Sequence, residues 1–183
     1  HAKIGDHNKI LINNRLLQWL ENATIENIEN QIITEEWVTK WKKWQQVDER
    51  VYPVPKSIQA SLRPYQIKGF EWMTLLSEIG AGACLANDMG LGKTLQTISF
   101  ISHLSELHTG DKFLIVCPAS LIYNWKAEFE KFAPALQTFL YKGGIDEFSE
   151  FWNGRYKIMI ATYGVVRSQI DYLESRLWAG IVI

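Results

Sequence analysis

Between Cys84 and Thr94 the chain reads Cys-Leu-Ala-Asn-Asp-Met-Gly-Leu-Gly-Lys-Thr, and no other stretch restricts its fold so tightly. A short apolar run from Ala83 to Ala86 reads as a strand. Gly90 and Gly92 follow, then Lys93-Thr94, and then Leu95-Gln96-Thr97-Ile98-Ser99-Phe100-Ile101, which reads as a helix reaching about Leu107. Strand, glycine-rich turn, Lys-Thr and helix is the Walker A layout of a phosphate-binding loop. The glycines let the backbone curl, so that successive N–H groups point at one anion. The helix adds its N-terminal donors and the positive end of its dipole. Lys93 is expected to reach the β- and γ-phosphates, and the Thr94 hydroxyl to ligate Mg²⁺. Asn87 stands where the usual pattern G-x-x-x-x-G-K-[ST] has its first glycine. Asn is among the few residues that tolerate a left-handed backbone, so the loop can still form.

The rest of the chain alternates helix and strand. A helix is expected over Pro64–Leu76, with Pro near its first turn. Phe113–Cys117 is a continuous apolar strand. Ser120 is expected to cap a helix from Leu121 to Phe132. Strands are expected over Gln137–Tyr141 and Lys157–Ala161 and at Ile181, with helices over Asp146–Trp152 and Val165–Leu173. Strands that are apolar throughout and separated by helices imply a parallel sheet covered on both faces, a three-layer α/β/α lobe. Ligands of such sheets bind beyond the carboxyl ends of the strands. The phosphate loop, Pro118-Ala119-Ser120 and Thr162-Tyr163-Gly164 should therefore share one rim. The last two fit either phosphates of a second ligand or ordinary strand–helix connectors.

Ahead of the lobe, residues 1–54 carry no catalytic pattern and read as a small helical extension ending in a Pro-containing linker at Tyr52-Pro53-Val54-Pro55, with the lobe occupying residues 55–183. Ile10, Leu11, Leu17 and Leu20 fall at near-helical spacing between Asp6 and Asn22. Trp37, Trp41 and Trp44 lie at i, i+4, i+7 after a Thr34 N-cap, with Lys40, Lys42 and Lys43 between them. That stripe fits an apolar packing face better than a stacking platform for nucleic acid.

Charge and cysteine usage narrow the classes. A formal net charge of −1 argues against a polybasic nucleic-acid arm but not against a local basic groove. No apolar run is long enough to span a bilayer, and nothing at the start resembles a signal peptide. Cys84 and Cys117 both lie in strand-like runs and read as buried free thiols. The chain starts at His1 and ends on Gly180-Ile181-Val182-Ile183, a strand just beginning, which leads us to expect a longer parent protein.

Four blocks in order carry a resemblance. Leu62-Arg63-Pro64-Tyr65-Gln66-Ile67-Lys68-Gly69-Phe70-Glu71-Trp72-Met73 is followed by Asn87-Asp88-Met89-Gly90-Leu91-Gly92-Lys93-Thr94-Leu95-Gln96-Thr97. Ile115–Phe129 and Ile160-Ala161-Thr162-Tyr163 come next. Together they resemble the first RecA-like lobe of Swi/Snf-type helicase-like ATPases, with wording nearest the bacterial HepA-like branch. The resemblance implies ATP and Mg²⁺ as ligands. Gln66 would read adenine, in a pocket shaped by Arg63 and Tyr65. Asp88, Met89, Gly90, Leu91, Gly92, Lys93, Thr94 and Leu95 would hold the triphosphate, with Lys93 and Thr94 nearest the chemistry and Thr94 on the metal. Ser120 and Thr162 would face DNA. It further implies a motor on double-stranded DNA that acts on DNA-bound protein complexes, works with a second RecA-like lobe of the parent chain, and resides in the cytoplasm of a bacterium, near the nucleoid. Hydrolysis in this family needs a D-E pair directly after the strand at Ile181 and arginine fingers from the second lobe, so these residues alone are expected to bind ATP weakly without turnover. A small-molecule P-loop kinase and a non-catalytic nucleotide-binding scaffold are the competing readings.

Overall fold

The structure is a computed structural model that describes residues 52–108 and 110–183. The expected helices at Asp6–Asn22 and Thr34–Trp44 lie outside the described residues. Two units are distinguished. One holds Lys68–Asp88, and the other holds Val54–Ile67 and Met89–Ile183.

The larger unit is built on a parallel sheet of four strands in the order β2-β3-β1-β4. These are β1 (Phe113–Cys117), β2 (Thr138–Leu140), β3 (Ile158–Thr162) and β4 (Gly180–Val182). Register is fixed by the pairs Phe113 with Ile158, Cys117 with Thr162, Phe113 with Gly180, and Thr138 with Ile158. Every residue of β1 is buried. A parallel strand with helices on both faces has no solvent side, which is why Phe-Leu-Ile-Val-Cys shows no alternation.

The two faces pack as separate cores because side chains alternate along each strand. Phe113, Ile115, Cys117, Ile158 and Ile160 face one layer with Ile98, Ile101, Phe129 and Ala133. Those partners come from α2 (Lys93–Leu107) and α3 (Ile122–Phe132) and from the residue that ends α3. Leu114, Val116, Met159 and Ala161 face the other, with Phe148, Phe151 and Leu173. Here the partners are α4 (Ile145–Asn153) and α6 (Ile170–Glu174), with Val165 and Val166 of α5 (Tyr163–Ser168) packed alongside. Full burial of each large apolar side chain is worth roughly 1.5–3 kcal/mol, so both faces contribute substantially. The three-layer α/β/α lobe expected from the sequence is present. Val54, Ile58, Ala60 and Leu62 also pack on the first face, and the Gln59 N–H donates to the Phe132 carbonyl at 2.8 Å.

Several local expectations are corrected. Ala83–Ala86 forms no strand, and Ala83, Cys84 and Ala86 are exposed. Ala-Cys-Leu-Ala has no β-branched or aromatic residue to favour a pleated, half-buried surface. Cys84 is therefore not a buried thiol, whereas Cys117 is. Ser120 does not cap a helix. It lies in a 3-10 turn, Ala119–Leu121, and Leu121 is the N-cap of α3 with no side-chain bond. The helix expected over Val165–Leu173 is broken into α5 and α6 at Gln169, whose amide is drawn aside to accept from the Gly144 N–H at 2.9 Å and to donate to the Ser168 carbonyl at 3.1 Å.

From Lys68 onward, α1 (Pro64–Glu78) lies in the smaller unit, and there its Phe70, Met73, Leu75 and Leu76 are all buried. Its end is a Schellman cap. Gly80 takes φ 72°, the Ala81 N–H reaches the Leu76 carbonyl at 2.8 Å, and the Gly80 N–H reaches that of Ser77 at 3.0 Å.

A half-buried cation just ahead of β1 ties it to the end of α4. Lys112 Nζ donates to the carbonyls of Phe151, Gly154 and Tyr156 at 2.9, 3.2 and 2.8 Å, at the end of α4. A cation suits the negative end of a helix dipole. It also lies 4.7 Å from the Phe151 ring centroid. Burial, and then the neighbouring charge of Lys157, pushes the Lys112 ammonium below the ordinary lysine value.

Candidate phosphate-binding site

The loop ahead of α2 turns on two glycines. Gly90 has φ 84° and Gly92 has φ 70°, while no non-glycine described residue has a positive φ. Asn87 therefore does not use the left-handed backbone that its position in the motif suggested. Gly92 is the N-cap of α2 and has no side-chain capping bond. Lys93 and Thr94 open the helix, so their side chains and the first-turn N–H groups belong to one end. α2 is fixed by Leu95, Ile98, Ile101 and Leu104 against the sheet. Thr97 and Ser99 return their hydroxyls to the Lys93 and Leu95 carbonyls at 3.0 and 2.8 Å.

Gln66 reaches this loop from the block upstream. It is 7% exposed. Its Oε1 accepts from the Arg63 N–H at 2.9 Å, and its Nε2 donates to the Leu91 carbonyl at 3.3 Å. A Cβ on Gly92 would collide with that Nε2. Gln96 approaches the same carbonyl from the helix. Its Nε2 lies 3.2 Å from the Leu91 oxygen and 3.4 Å from that of Gly92. Gln96 is fully buried, and its Oε1 has no partner.

Arg63, Gln66, Met89, Gly90, Leu91, Gly92, Lys93, Thr94 and Leu95 are thus gathered in the larger unit, with Gln66 linking its block to the loop. Tyr65, 38% exposed, stands one residue before Gln66 in the same unit. Asp88 falls in the other unit. Met89 is almost wholly exposed. Ser120 and Thr162 follow adjacent strands paired at Cys117 and Thr162, so both sit at the carboxyl edge of the sheet. Ser120 is exposed. Thr162 is half-buried, and its Oγ1 accepts from the Val165 N–H at 3.1 Å as N-cap of α5. Sequence reading missed the clamp made by Gln96. Only its place after Gly-Lys-Thr, within the first turn of a helix, could have drawn attention to it.

A glycine-curled loop followed by Lys-Thr at an uncapped helix start has the backbone donors and charge that can cradle a polyphosphate. The family model described as the SNF2-related domain matches residues 65–183. The chain belongs to the SNF2-related family. Among relatives of this SNF2-related chain are chromatin-remodeling ATPases INO80. That of Sclerotinia sclerotiorum is 34% identical over 142 residues, or 70% of this chain and 8% of the relative. That of Saccharomyces cerevisiae is 34% identical, covering 70% of this chain and 10% of the relative. The Sulfolobus solfataricus SWI2/SNF2 ATPase core solved in complex with dsDNA is 39% identical, with a TM-score of 0.64, over 72% of this chain and 27% of that one. The same organism's core domain gives a TM-score of 0.66 at 39% identity, over 72% and 26%. The chain thus spans a tenth or less of those curated relatives and about a quarter of those solved structures.

Proposed function

We infer that this chain is the ATP-binding part of a DNA-dependent ATPase that translocates on duplex DNA and remodels protein–DNA complexes. The observation that carries the reading is the tie between Gln66 and the curled loop at Gly90–Lys93, which joins the two blocks that distinguish this family from other P-loop proteins. The names of the relatives support it. One is a chromatin-remodeling ATPase, and another is a SWI2/SNF2 core in complex with dsDNA.

The residues fit ATP and Mg²⁺. Gly90 and Gly92 free the backbone to wrap a phosphate chain, and Lys93 supplies the point charge. The Thr94 hydroxyl would be the metal donor in this loop. No group of three or more His, Cys, Asp or Glu capable of holding an ion exists among the described residues, and Mg²⁺ beside a nucleotide would fill its shell with phosphate oxygens and water. Bound Mg²⁺ would neutralise charge gathering on the β- and γ-oxygens. Gln66 keeps a second Nε2–H and an Oε1 lone pair while it holds Leu91, which suffices for an adenine edge. Arg63 and Tyr65 would flank that base, and Asp88 would help to hold the triphosphate. Ser120 and Thr162, at the carboxyl edge, would meet the DNA backbone. Thr162 can donate its hydroxyl hydrogen there while its oxygen caps α5.

The motif wording alone supports a HepA-like bacterial branch and a nucleoid-associated place in the cytoplasm. The relatives above are fungal INO80 ATPases and an archaeal core, so the motor is proposed at the level of the family. The test is ATP hydrolysis by the full-length protein with and without duplex DNA, beside Lys93→Ala. Duplex DNA should stimulate turnover, and the variant should lose it while melting as the parent does. DNA-independent turnover, or phosphate transfer to a small-molecule acceptor, would overturn the motor.

A further inference from the structure

We propose that Gln96, together with Gln66, is a positioning residue that locks the Leu91–Gly92 peptide so that its N–H is aimed at the nucleotide phosphates. The inference rests on the reading of this loop as a phosphate cradle and adds a mechanism for its shape. A trans peptide is planar, with its C=O and N–H pointing in opposite directions. Whatever holds the Leu91 oxygen therefore aims the Gly92 N–H the other way. Two side-chain amides hold it, Gln96 at 3.2 Å and Gln66 at 3.3 Å. No backbone donor among the described residues does. The Gly92 oxygen differs, because the Gln96 backbone N–H already takes it at 3.1 Å in the first helical bond. The Leu91–Gly92 plane, by contrast, takes its orientation from side chains.

The cost of this arrangement is visible in Gln96 itself. Its side chain is fully buried and its Oε1 has no donor. An unpaired buried acceptor is destabilising, so stability alone does not favour glutamine here. A methionine of similar shape would remove the orphan oxygen. The Leu91 carbonyl would keep Gln66 and the Gly92 carbonyl its helical bond. The amide is thus explained by the direction it gives the loop rather than by packing.

A double-mutant cycle in the full-length protein tests this, with Gln96→Met, Gln66→Met and both together, read by titration with ADP and by competition with adenosine. Either amide alone still holds the shared carbonyl, so the loss of ADP affinity in the double variant should exceed the product of the single losses by about fivefold, an energy typical of directly coupled neighbours. Gln96→Met should leave adenosine affinity within about twofold, since that ligand carries no phosphate to meet the Gly92 N–H. Single losses that simply multiply would overturn the proposal, because any adenine contact of Gln66 cancels in the cycle. Equal weakening of ADP and adenosine by Gln96→Met would also overturn it, as a site-wide packing effect. Should the double variant not fold, Gln96→Glu decides. A protonated carboxyl keeps one donor for Leu91 and an ionised one keeps none, so its ADP affinity should recover as pH falls, beyond any change in the parent. A pH response equal to the parent's would refute the clamp. Lys93→Ala separates the two levels. If it binds ADP as the parent does, the phosphate-cradle reading fails and the positioning role falls with it; if it loses ADP while the single losses in the cycle simply multiply, the positioning role alone fails.

Discussion

Gly92 and Gln66 are so close that any side chain at position 92 must push the Gln66 amide aside. A Cβ there would collide with the Gln66 amide nitrogen, and the backbone already takes φ 70°. Gly90, at φ 84°, has nothing within 4 Å of the same hypothetical atom. Gly90→Ala therefore meets only the left-handed penalty, about 1–2 kcal/mol. Gly92→Ala meets that penalty and also displaces Gln66 from Leu91. We expect Gly92→Ala to abolish measurable nucleotide binding and Gly90→Ala to weaken it, with titration of the two variants side by side as the check. Equal losses would show that the Gln66 contact does not govern the loop.

Thr162 has a visible role in the fold and Ser120 has none, which lets their proposed DNA role be tested apart from stability. Thr162→Ala removes the cap of α5 and should cost about 1 kcal/mol of stability, which Thr162→Ser restores. Ser120 is exposed on its 3-10 turn, so Ser120→Ala should leave the melting temperature unchanged. Both alanine variants should reduce DNA stimulation of the ATPase. Full stimulation in Ser120→Ala would remove it from the DNA face.

Lys112 gives a stability prediction with a definite sign in pH. Lys112→Met leaves three carbonyls at the end of α4 without their donor. We expect a loss of about 1–3 kcal/mol in urea unfolding at neutral pH. Burial, and then Lys157, lowers the folded ammonium's pKa below the ordinary value of 10.5. Between the folded value and 10.5 the unfolded chain holds more protons at this site, so its contribution to stability rises with pH through that alkaline window. Lys112→Met should lack the rise, and a parallel pH course in both proteins would refute the assignment.

The cysteines differ in reach. Cys84 is exposed and Cys117 buried, with burial pushing the Cys117 thiol up. A thiol reagent at neutral pH should modify Cys84 alone in the folded protein, and both after unfolding, as mass spectrometry would read. Rapid labelling of Cys117 under native conditions would contradict the packing of β1.

Much of this architecture was legible in the residue order. Phe113–Cys117 and Ile158–Thr162 announce themselves because a doubly covered parallel strand must be apolar on both sides. Gly-Leu-Gly-Lys-Thr fixes a turn and a helix start because only glycine enters the left-handed region at little cost. What stayed hidden depends on distant partners. Lys112 looks like any charged residue in a loop until α4 closes over it. Gln96 reads as a helix former until the Leu91 carbonyl curls back beneath it. Ala83–Ala86 is apolar on average yet carries no β-branched residue, so its composition suggests a strand that its side chains do not favour. Ser120 misled because the 3-10 turn displaced the cap by one residue, a shift that composition does not encode.

β4 gives the larger unit a different kind of property. It hydrogen-bonds β1 on one side and ends the sheet among the described residues, with Ile181 and Ile183 exposed. Its outer backbone groups form a ready template for another strand, and neither proline nor charge blunts them. In concentrated solution that short seam offers copies of this chain a place to pair, and Ile181→Lys is the simplest way to keep them apart.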